Sequence, residues 1–316
     1  MYKLYLLICL TFAISNASYA ATDDSRISIN ALVADETIPS EAVGILENKL
    51  VMALTANGFA DNGYAERIVL TAKTDVVSKD IVPSTPAKVS QKVAVTFIVG
   101  DIVENKVYAA YTTTATGIGN NDMKAFVSAF TKINPRQAGL QDMLAEAKTK
   151  IIDYYKTNSD AIIINAQALA AMQKYDEAIF RLMSVPNIYN KSYKDCQSAA
   201  VAIYQQKMND EAEKLLVKAK NIWASSPNDT GAQQVAGIIS KINPKADNYQ
   251  SVETFRKQVE DKLQDDAKRE WDFQMKQYED NQAFKRNIVS ACRDIGVAYG
   301  KNQPRNVIRT IINGWW

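Results

Sequence analysis

Residues 93–111 have the sequence VAVTFIVGDIVENKVYAAY. Apolar side chains occupy every second position from Val93 to Val99 and again from Val107 to Tyr111, which is typical of strands buried on one face. The polar residues 104–106 between the two runs favour a tight turn. The stretch therefore predicts a β-hairpin, and the strands and helices around it decide the fold class.

Similar alternation over residues 27–33 and 68–72 predicts two further strands. Helical spacing predicts helices over residues 40–57 and 122–132, and a longer one ending near Tyr155. Because helices and strands are mixed in this order, residues 21–158 are expected to form an α+β domain. Its sheet would be small, antiparallel or mixed, with helices on one face. Residues 78–90, with two prolines, and residues 112–121 are expected to be surface connections.

Composition excludes several classes of chemistry. The 316 residues include 37 basic and 35 acidic side chains, three cysteines and no histidine. Catalysis that needs a histidine base and zinc sites that need histidine ligands are therefore impossible. A formal charge of +2 gives no bulk attraction for nucleic acid, and we expect no nucleic-acid partner.

Residues 1–20 resemble a secretory signal peptide in their physical pattern. Lys3 precedes an apolar run over residues 4–14, and small residues stand at Ser18 and Ala20. The run is too short for a membrane anchor, which needs about 20 apolar residues. Export and a periplasmic location are expected, and an association with the outer membrane is left open. The sequence also leaves open whether Cys196 and Cys292 stay as buried thiols or form a disulfide.

Residues 159–250 are predicted to be helical repeats. The segment 174–178 recurs at 208–212, and Glu177 and Glu211 are 34 residues apart. This spacing resembles the tetratricopeptide repeat, a helix-turn-helix unit, although its usual tryptophan and glycine positions are not filled. The repeats could present a groove to a protein or peptide. The aromatic residues proposed to bind a partner are Tyr175, Tyr189, Tyr193, Tyr204 and Trp223, for which packing inside the protein is the alternative.

Residues 251–300 are predicted to form one long charged helix, because the sequence has no glycine or proline between Ser251 and Ala291. Pairing with another helix and folding back on the repeats are both open. Residues 301–316 form an amphipathic aromatic tail with Ile308, Ile312, Trp315 and Trp316 on one stripe. This stripe could contact a membrane surface or dock into a groove of the protein.

No constellation of residues indicates catalysis. Gly117 and Gly119 lack the other residues of a phosphate-binding loop, and the carboxylates of residues 261–270 alternate with basic residues as on a solvated helix. No catalytic residue, cofactor or metal site is predicted.

The sequence resembles known envelope proteins in two places. The order of elements in residues 21–158 resembles the periplasmic α/β domain of curli-type secretion channels and of outer-membrane lipoproteins that activate penicillin-binding proteins. Residues 268–278 and 294–300 together are similar to a run in exported proteins of Bacteroidetes-type gut bacteria. The resemblances imply an envelope protein without an assigned activity.

The sequence therefore predicts a non-enzymatic periplasmic binding or scaffold protein that acts through contacts with an envelope protein or peptide. Contacts with further copies of itself are left open. One alternative is a structural subunit of an outer-membrane-associated or secretion-type assembly, with peripheral membrane contact through the tail. Another is a hydrolase with an unrecognised carboxylate site.

Overall fold

A computed structural model describes residues 27–35, 37–59, 67–187, 189–263, 265–279 and 287–315. The predicted signal peptide and Trp316 lie outside these ranges. The strands are β1 (Asn30–Ala31), β2 (Ile68–Val82), β3 (Lys88–Asp101) and β4 (Lys106–Gly119). The helices are α1 (Ser40–Ala56), α2 (Asp122–Lys132), α3 (Ala138–Ala171), α4 (Tyr175–Met183), α5 (Asn190–Ser225), α6 (Asp229–Ile239), α7 (Tyr249–Glu260), α8 (Asp265–Glu279), α9 (Ile288–Lys301) and α10 (Arg305–Asn313).

The α+β fold class with a helical C-terminal region is confirmed. The sheet is mixed, in the order β1-β2-β3-β4: β1 is parallel to β2, and the other pairs are antiparallel. One sheet face, with Leu70 and Phe97 fully buried, packs against Leu46 of α1, Phe130 of α2 and Leu144 of α3. The alternation in the sequence places these side chains on that face, since successive strand residues point to opposite sides.

The strands are longer than the alternation predicts. Most of residues 78–90 belong to β2 and β3, which leaves only a short turn over residues 83–87. β4 likewise runs on to Gly119, so the loop expected over residues 112–121 is mostly strand. Polar and threonine-rich sequence is typical of loops, yet here residues 78–82 and 112–119 pair with β3 along one edge.

Gly117 and Gly119 mark the place where α2 packs directly on β4. A Cβ atom on Gly117 would overlap the carbonyl oxygen of Ala125 and lie 2.5 Å from the amide nitrogen of Ala129. A Cβ atom on Gly119 would lie 2.5 Å from the nitrogen of Ala125. The glycine pair therefore allows a close approach of helix backbone to strand backbone.

The boundary predicted at residue 158 falls inside α3, which continues from the sheet layer into the helical region. The repeat also predicts a turn between two helices near Asn209 and Asp210, which is wrong, because α5 is one helix of 36 residues. In the first unit, α3 ends just before Gln173, which adopts φ 59°. Lys207, the equivalent residue of the second unit, lies within α5. Lys207 instead forms an ion pair of 2.7 Å with Asp176, so the two similar segments pack side by side.

The single helix predicted over residues 251–300 is also wrong: α7, α8 and α9 replace it. Phe255 of α7 and Met275 of α8 are buried in one cluster with Val235 of α6. On a straight helix these two side chains would be about 30 Å apart and could not both reach α6. The turn after Asp261 allows the apolar residues of both helices to bury against the same neighbour.

We expect Gly117→Ala to lower the free energy of unfolding by about 1–3 kcal/mol, because the added methyl group has no space against α2. Urea denaturation of residues 21–316 measures this. Gly44→Ala is the matched control, since nothing lies within 4 Å of its Cβ position on α1. The control should raise stability by about 0.5–1 kcal/mol. Equal effects of the two substitutions would contradict the close approach.

Candidate interaction site

A buried ionic cluster joins the sheet to the helical region. Arg67, just before β2, donates from Nε to Oδ2 of Asp101 at 2.7 Å and from Nη2 to Oε1 of Glu104 at 2.8 Å. Its Nη1 donates to the carbonyl oxygen of Arg181 and to Oγ of Ser184, both at 3.2 Å. One guanidinium thus connects the strand ends with α4.

Tyr155 of α3 completes the buried ionic cluster. Its hydroxyl donates to Oδ2 of Asp101 at 2.8 Å, and its ring lies 5.2 Å from the guanidinium carbon of Arg67. The other carboxylate oxygen of Asp101 accepts from the backbone amides of Val103 and Glu104. Every oxygen of this buried carboxylate therefore has a partner, as burial of a charge requires.

The electrostatics favour the charged guanidinium of Arg67 and the neutral phenol of Tyr155. Burial alone would lower the pKa of Arg67, but the carboxylates of Asp101 and Glu104 raise it above its ordinary value. Burial also raises the pKa of Tyr155 well above its ordinary value, so its hydroxyl keeps the proton that it donates. Arg67 and Asp101 are 1% and 0% exposed, which leaves no access for a substrate. The buried ionic cluster therefore positions the elements around it.

None of the residues of the buried ionic cluster was predicted from the sequence. Asp101 carries a weak signal, since an acidic residue ends the apolar alternation of β3. Its partners stand 34 and 54 positions away along the chain, where no local pattern points to them. Sequence reasoning placed Glu104 only in a turn.

The C-terminal tail is docked on the opposite face of the sheet. Ile308 and Ile312 are 6% and 0% exposed and pack with Ala34, Val69 and Ile102. A Cβ atom on Gly100 would lie 2.5 Å from the ring of Trp315, so this glycine makes room for the indole. Nε1 of Trp315 donates to Oδ1 of Asn105 at 2.8 Å. In this conformation the isoleucine stripe of α10 is not available to a membrane.

The aromatic residues proposed to bind a partner do not line one groove. Tyr189 and Tyr193 lie at the start of α5, whereas Trp223 lies near its end, about 45 Å from Tyr193 along the helix. Tyr175 donates to Oδ2 of Asp210 at 2.6 Å, a bond that raises its pKa to about 12. Tyr204 packs against both large apolar clusters.

The outer part of the sheet, which we call the arm, comprises residues 76–92 with the paired end of β4. Among the described residues, β1 covers the outer edge of β2 only at Val69 and Leu70. Asp35 then accepts hydrogen bonds from the backbone amide and hydroxyl of Thr74. Burial opposes the charge of Asp35, but the hydrogen bonds from Thr37 and Thr74 lower its pKa. Beyond this contact, β2 continues to Val82.

Three large apolar side chains are exposed on this part of β2. Val76 is 48% exposed, Val77 is 56% exposed, and Ile81 is 74% exposed. A bulge occurs at Val77, and Lys79 forms an exposed ion pair of 2.7 Å with Asp122. Bulges and charges are features that protect a strand edge from uncontrolled aggregation. The arm therefore combines an open strand edge with accessible apolar side chains.

The two thiols outside the signal region are separate and buried. Cys196 and Cys292 form no disulfide, and Sγ of Cys292 lies 3.7 Å from the carbonyl oxygen of Ala200. Burial raises the pKa of each thiol to about 11. Of the two alternatives left by the sequence, the structure has buried thiols.

Within the ranges that the structure describes, no three acidic or thiol side chains converge as metal ligands would. Among the same residues, no helix combines the length and the apolar character that crossing a bilayer requires.

Comparison with known proteins assigns no family. No family model and no curated protein matches the chain. A crystal structure of a minor lipoprotein from Acinetobacter baumannii aligns with 37% of this chain and 94% of its own length, at 19% identity and a TM-score of 0.24. A similarity this low carries no argument about fold or function, so the two resemblances in the sequence stay predictions.

Arg67→Met should lower the free energy of unfolding by about 3–5 kcal/mol, because it leaves Asp101 charged and buried without its partner. Chemical denaturation measures the loss. Adding Asp101→Leu should restore part of it. Lys79→Met removes an exposed ion pair and should cost less than about 1 kcal/mol. A small effect of Arg67→Met would show that the buried ionic cluster does not hold the junction.

Neither thiol of folded residues 21–316 should react with Ellman's reagent at about pH 8, because the thiolate is the reactive form. Both should react in guanidinium. Since the folded-state pKa is raised, the stability linked to the thiols is complete below their ordinary pKa and is lost as the pH rises through about 11. Fewer than two reactive thiols after unfolding would contradict this assignment.

Ile312→Gln should release α10 from the sheet. Losing about 2 kcal/mol of burial free energy raises the population of undocked α10 at least about tenfold. Trypsin cleavage after Arg309 should become faster by the same factor. Mass spectrometry of timed digests measures it. Asn313→Gln introduces the same residue at an exposed position and should leave the rate unchanged.

Proposed function

We propose that this chain is an exported, non-enzymatic binding or scaffold protein of the cell envelope, which holds a partner protein by complementary surfaces. The leader pattern of residues 1–20 supports the export. The partner is an extended segment of another envelope protein that pairs with the arm, and no bond is made or broken.

The observation that carries the proposal is the open edge of β2 beyond Thr74. Within the described part of the chain, no strand lies beside its backbone N–H and C=O groups on that side, because β1 pairs with β2 only at Val69 and Leu70. An added strand would satisfy these groups with main-chain hydrogen bonds, and side chains at alternate positions would give selectivity. Ile81 and Val77 supply apolar area that such a strand would bury.

The arm favours a different protein over a second copy of this chain. Opposed residues of an antiparallel pair must point to the same face, and the bulge at Val77 limits regular pairing to residues 78–82. Two copies paired over the whole of that segment would place Asp80 opposite Asp80. Like charges in directly opposed positions destabilise a sheet.

The rest of the fold supports the arm. α2 packs on the end of β4 through Gly117 and Gly119, and Lys132 donates to the carbonyl oxygen of Thr116 at 2.6 Å. α3 extends from the sheet into the helical region. A strand bound on the arm would therefore be held at a defined position relative to the helices.

Site-specific photo-crosslinking in the cells that make the protein tests the proposal. We expect a photoreactive phenylalanine analogue at position 81 to give a discrete crosslinked product in the envelope fraction. The same analogue at position 164 is the matched control, because Ile164 is 63% exposed on α3, away from the arm. Lys79→Glu, which reverses a charge on the same edge, should weaken the product from position 81.

No product from position 81, or the same products from both positions, would contradict binding at the arm. A crosslinked dimer of the chain would replace the proposed partner with a second copy.

A further inference from the structure

A cavity of about 190 Å³ lies between α4, α9, α10 and the turn that joins β3 to β4. It is separate from the arm. The apolar part of its lining is formed by Val103, Phe180, Tyr299, Val307 and Ile311. The rings of Phe180 and Tyr299 lie 5.3 Å apart at an angle of 39° and form one wall.

The size of the cavity suits one apolar side chain. An apolar protein cavity of about 150 Å³ binds a molecule as large as benzene. A phenyl ring or a branched aliphatic group would therefore fit within the available volume. Filling it would remove apolar surface of both wall and ligand from water, which favours binding.

The polar residues at the edge of the cavity determine which polar group a ligand carries next to its apolar group. Glu177 and Arg181 both line the cavity, with Oε1 of Glu177 3.3 Å from Nη2 of Arg181. The guanidinium of Arg181 has five N–H donors. Among the described residues, Oε1 of Glu177 accepts from Nη2, and the second terminal nitrogen can donate to an incoming oxygen atom.

The charge of that oxygen is constrained by Glu177. Arg181 is already matched by one carboxylate, so a second carboxylate would meet a neutral pair and would lie near the charge of Glu177. An uncharged carbonyl oxygen supplies the acceptor without that repulsion. The walls and the edge together specify an apolar group next to a neutral carbonyl, as in an apolar residue within a peptide.

We propose that this cavity is a binding site for one aromatic or branched apolar side chain of a peptide, whose neighbouring backbone carbonyl accepts a hydrogen bond from Arg181. α10 forms one wall through Val307, Ile308 and Ile311, so the site is complete only when the tail is docked. The proposal does not depend on the arm, and either can fail alone.

Methyl NMR of residues 21–316 with labelled isoleucines tests the proposal. The probe is N-acetyl-phenylalaninamide, which has a phenyl ring and neutral carbonyls. We expect saturable shifts of the methyl signals of Ile102, Ile308 and Ile311. N-acetyl-alaninamide lacks the ring, and 3-phenylpropionate replaces the amide with a carboxylate, so both should bind more weakly.

Two variants test the roles of the walls and the edge. Arg181→Met keeps the backbone carbonyl that Arg67 uses and should weaken binding of N-acetyl-phenylalaninamide about fivefold, the factor of one net hydrogen bond. Val307→Phe should abolish binding by filling the cavity from α10. Val289→Phe adds the same ring at an exposed position of α9 outside the cavity lining and should change nothing.

The absence of a saturable shift with N-acetyl-phenylalaninamide would overturn the proposal. So would binding that survives Val307→Phe. Equal or tighter binding of 3-phenylpropionate would overturn the neutral carbonyl in favour of an anionic ligand.

Discussion

The ion pair of Arg67 and Asp101 is the constraint on which the rest of the molecule depends. It lies where the sheet, α3 and α4 meet, and each of these elements contributes a group to it. Desolvating two charges is costly, and the cost is offset only where every lone pair and proton finds a partner. The tyrosine and the backbone amides meet that requirement. We infer that the buried ionic cluster selects one relative placement of sheet and helices, because any other leaves a charge buried alone.

Glycines determine how closely helices approach the sheet. Gly117 and Gly119 admit the backbone of α2 on one face, and Gly100 admits the indole of Trp315 on the other. A side chain at any of these positions would push the neighbouring element away. The two faces of the central strands are thus covered by different means, a helix backbone on one and a tail on the other.

The sequence predicts those parts of the fold that local periodicity determines. Alternation located the buried parts of β2, β3 and β4, and helical spacing located α1, α2 and the stripe of α10. The exposed ends of the strands were not predicted, because apolar and polar residues do not alternate there as they do in a strand with one buried face. The lengths of α3 and α5 were not predicted for another reason. Residues 140–185 and 190–225 contain no glycine or proline, so nothing in the sequence marks where a helix ends. The turn at Gln173 and the continuity at Lys207 follow from tertiary contacts such as that of Lys207 with Asp176. The same limit applies to the buried ionic cluster and to the cavity, whose residues come from distant parts of the chain.

The continuity of α3 has a consequence for how the molecule comes apart. Its first half is covered by the sheet and its second half by α4 and α5, with Leu144 and Ala166 in one apolar cluster. Fraying either half removes the template on which the other packs. The α+β layer and the adjoining helices should therefore melt together in one cooperative transition, and cutting the chain at residue 158 would yield two fragments that each expose half of a core.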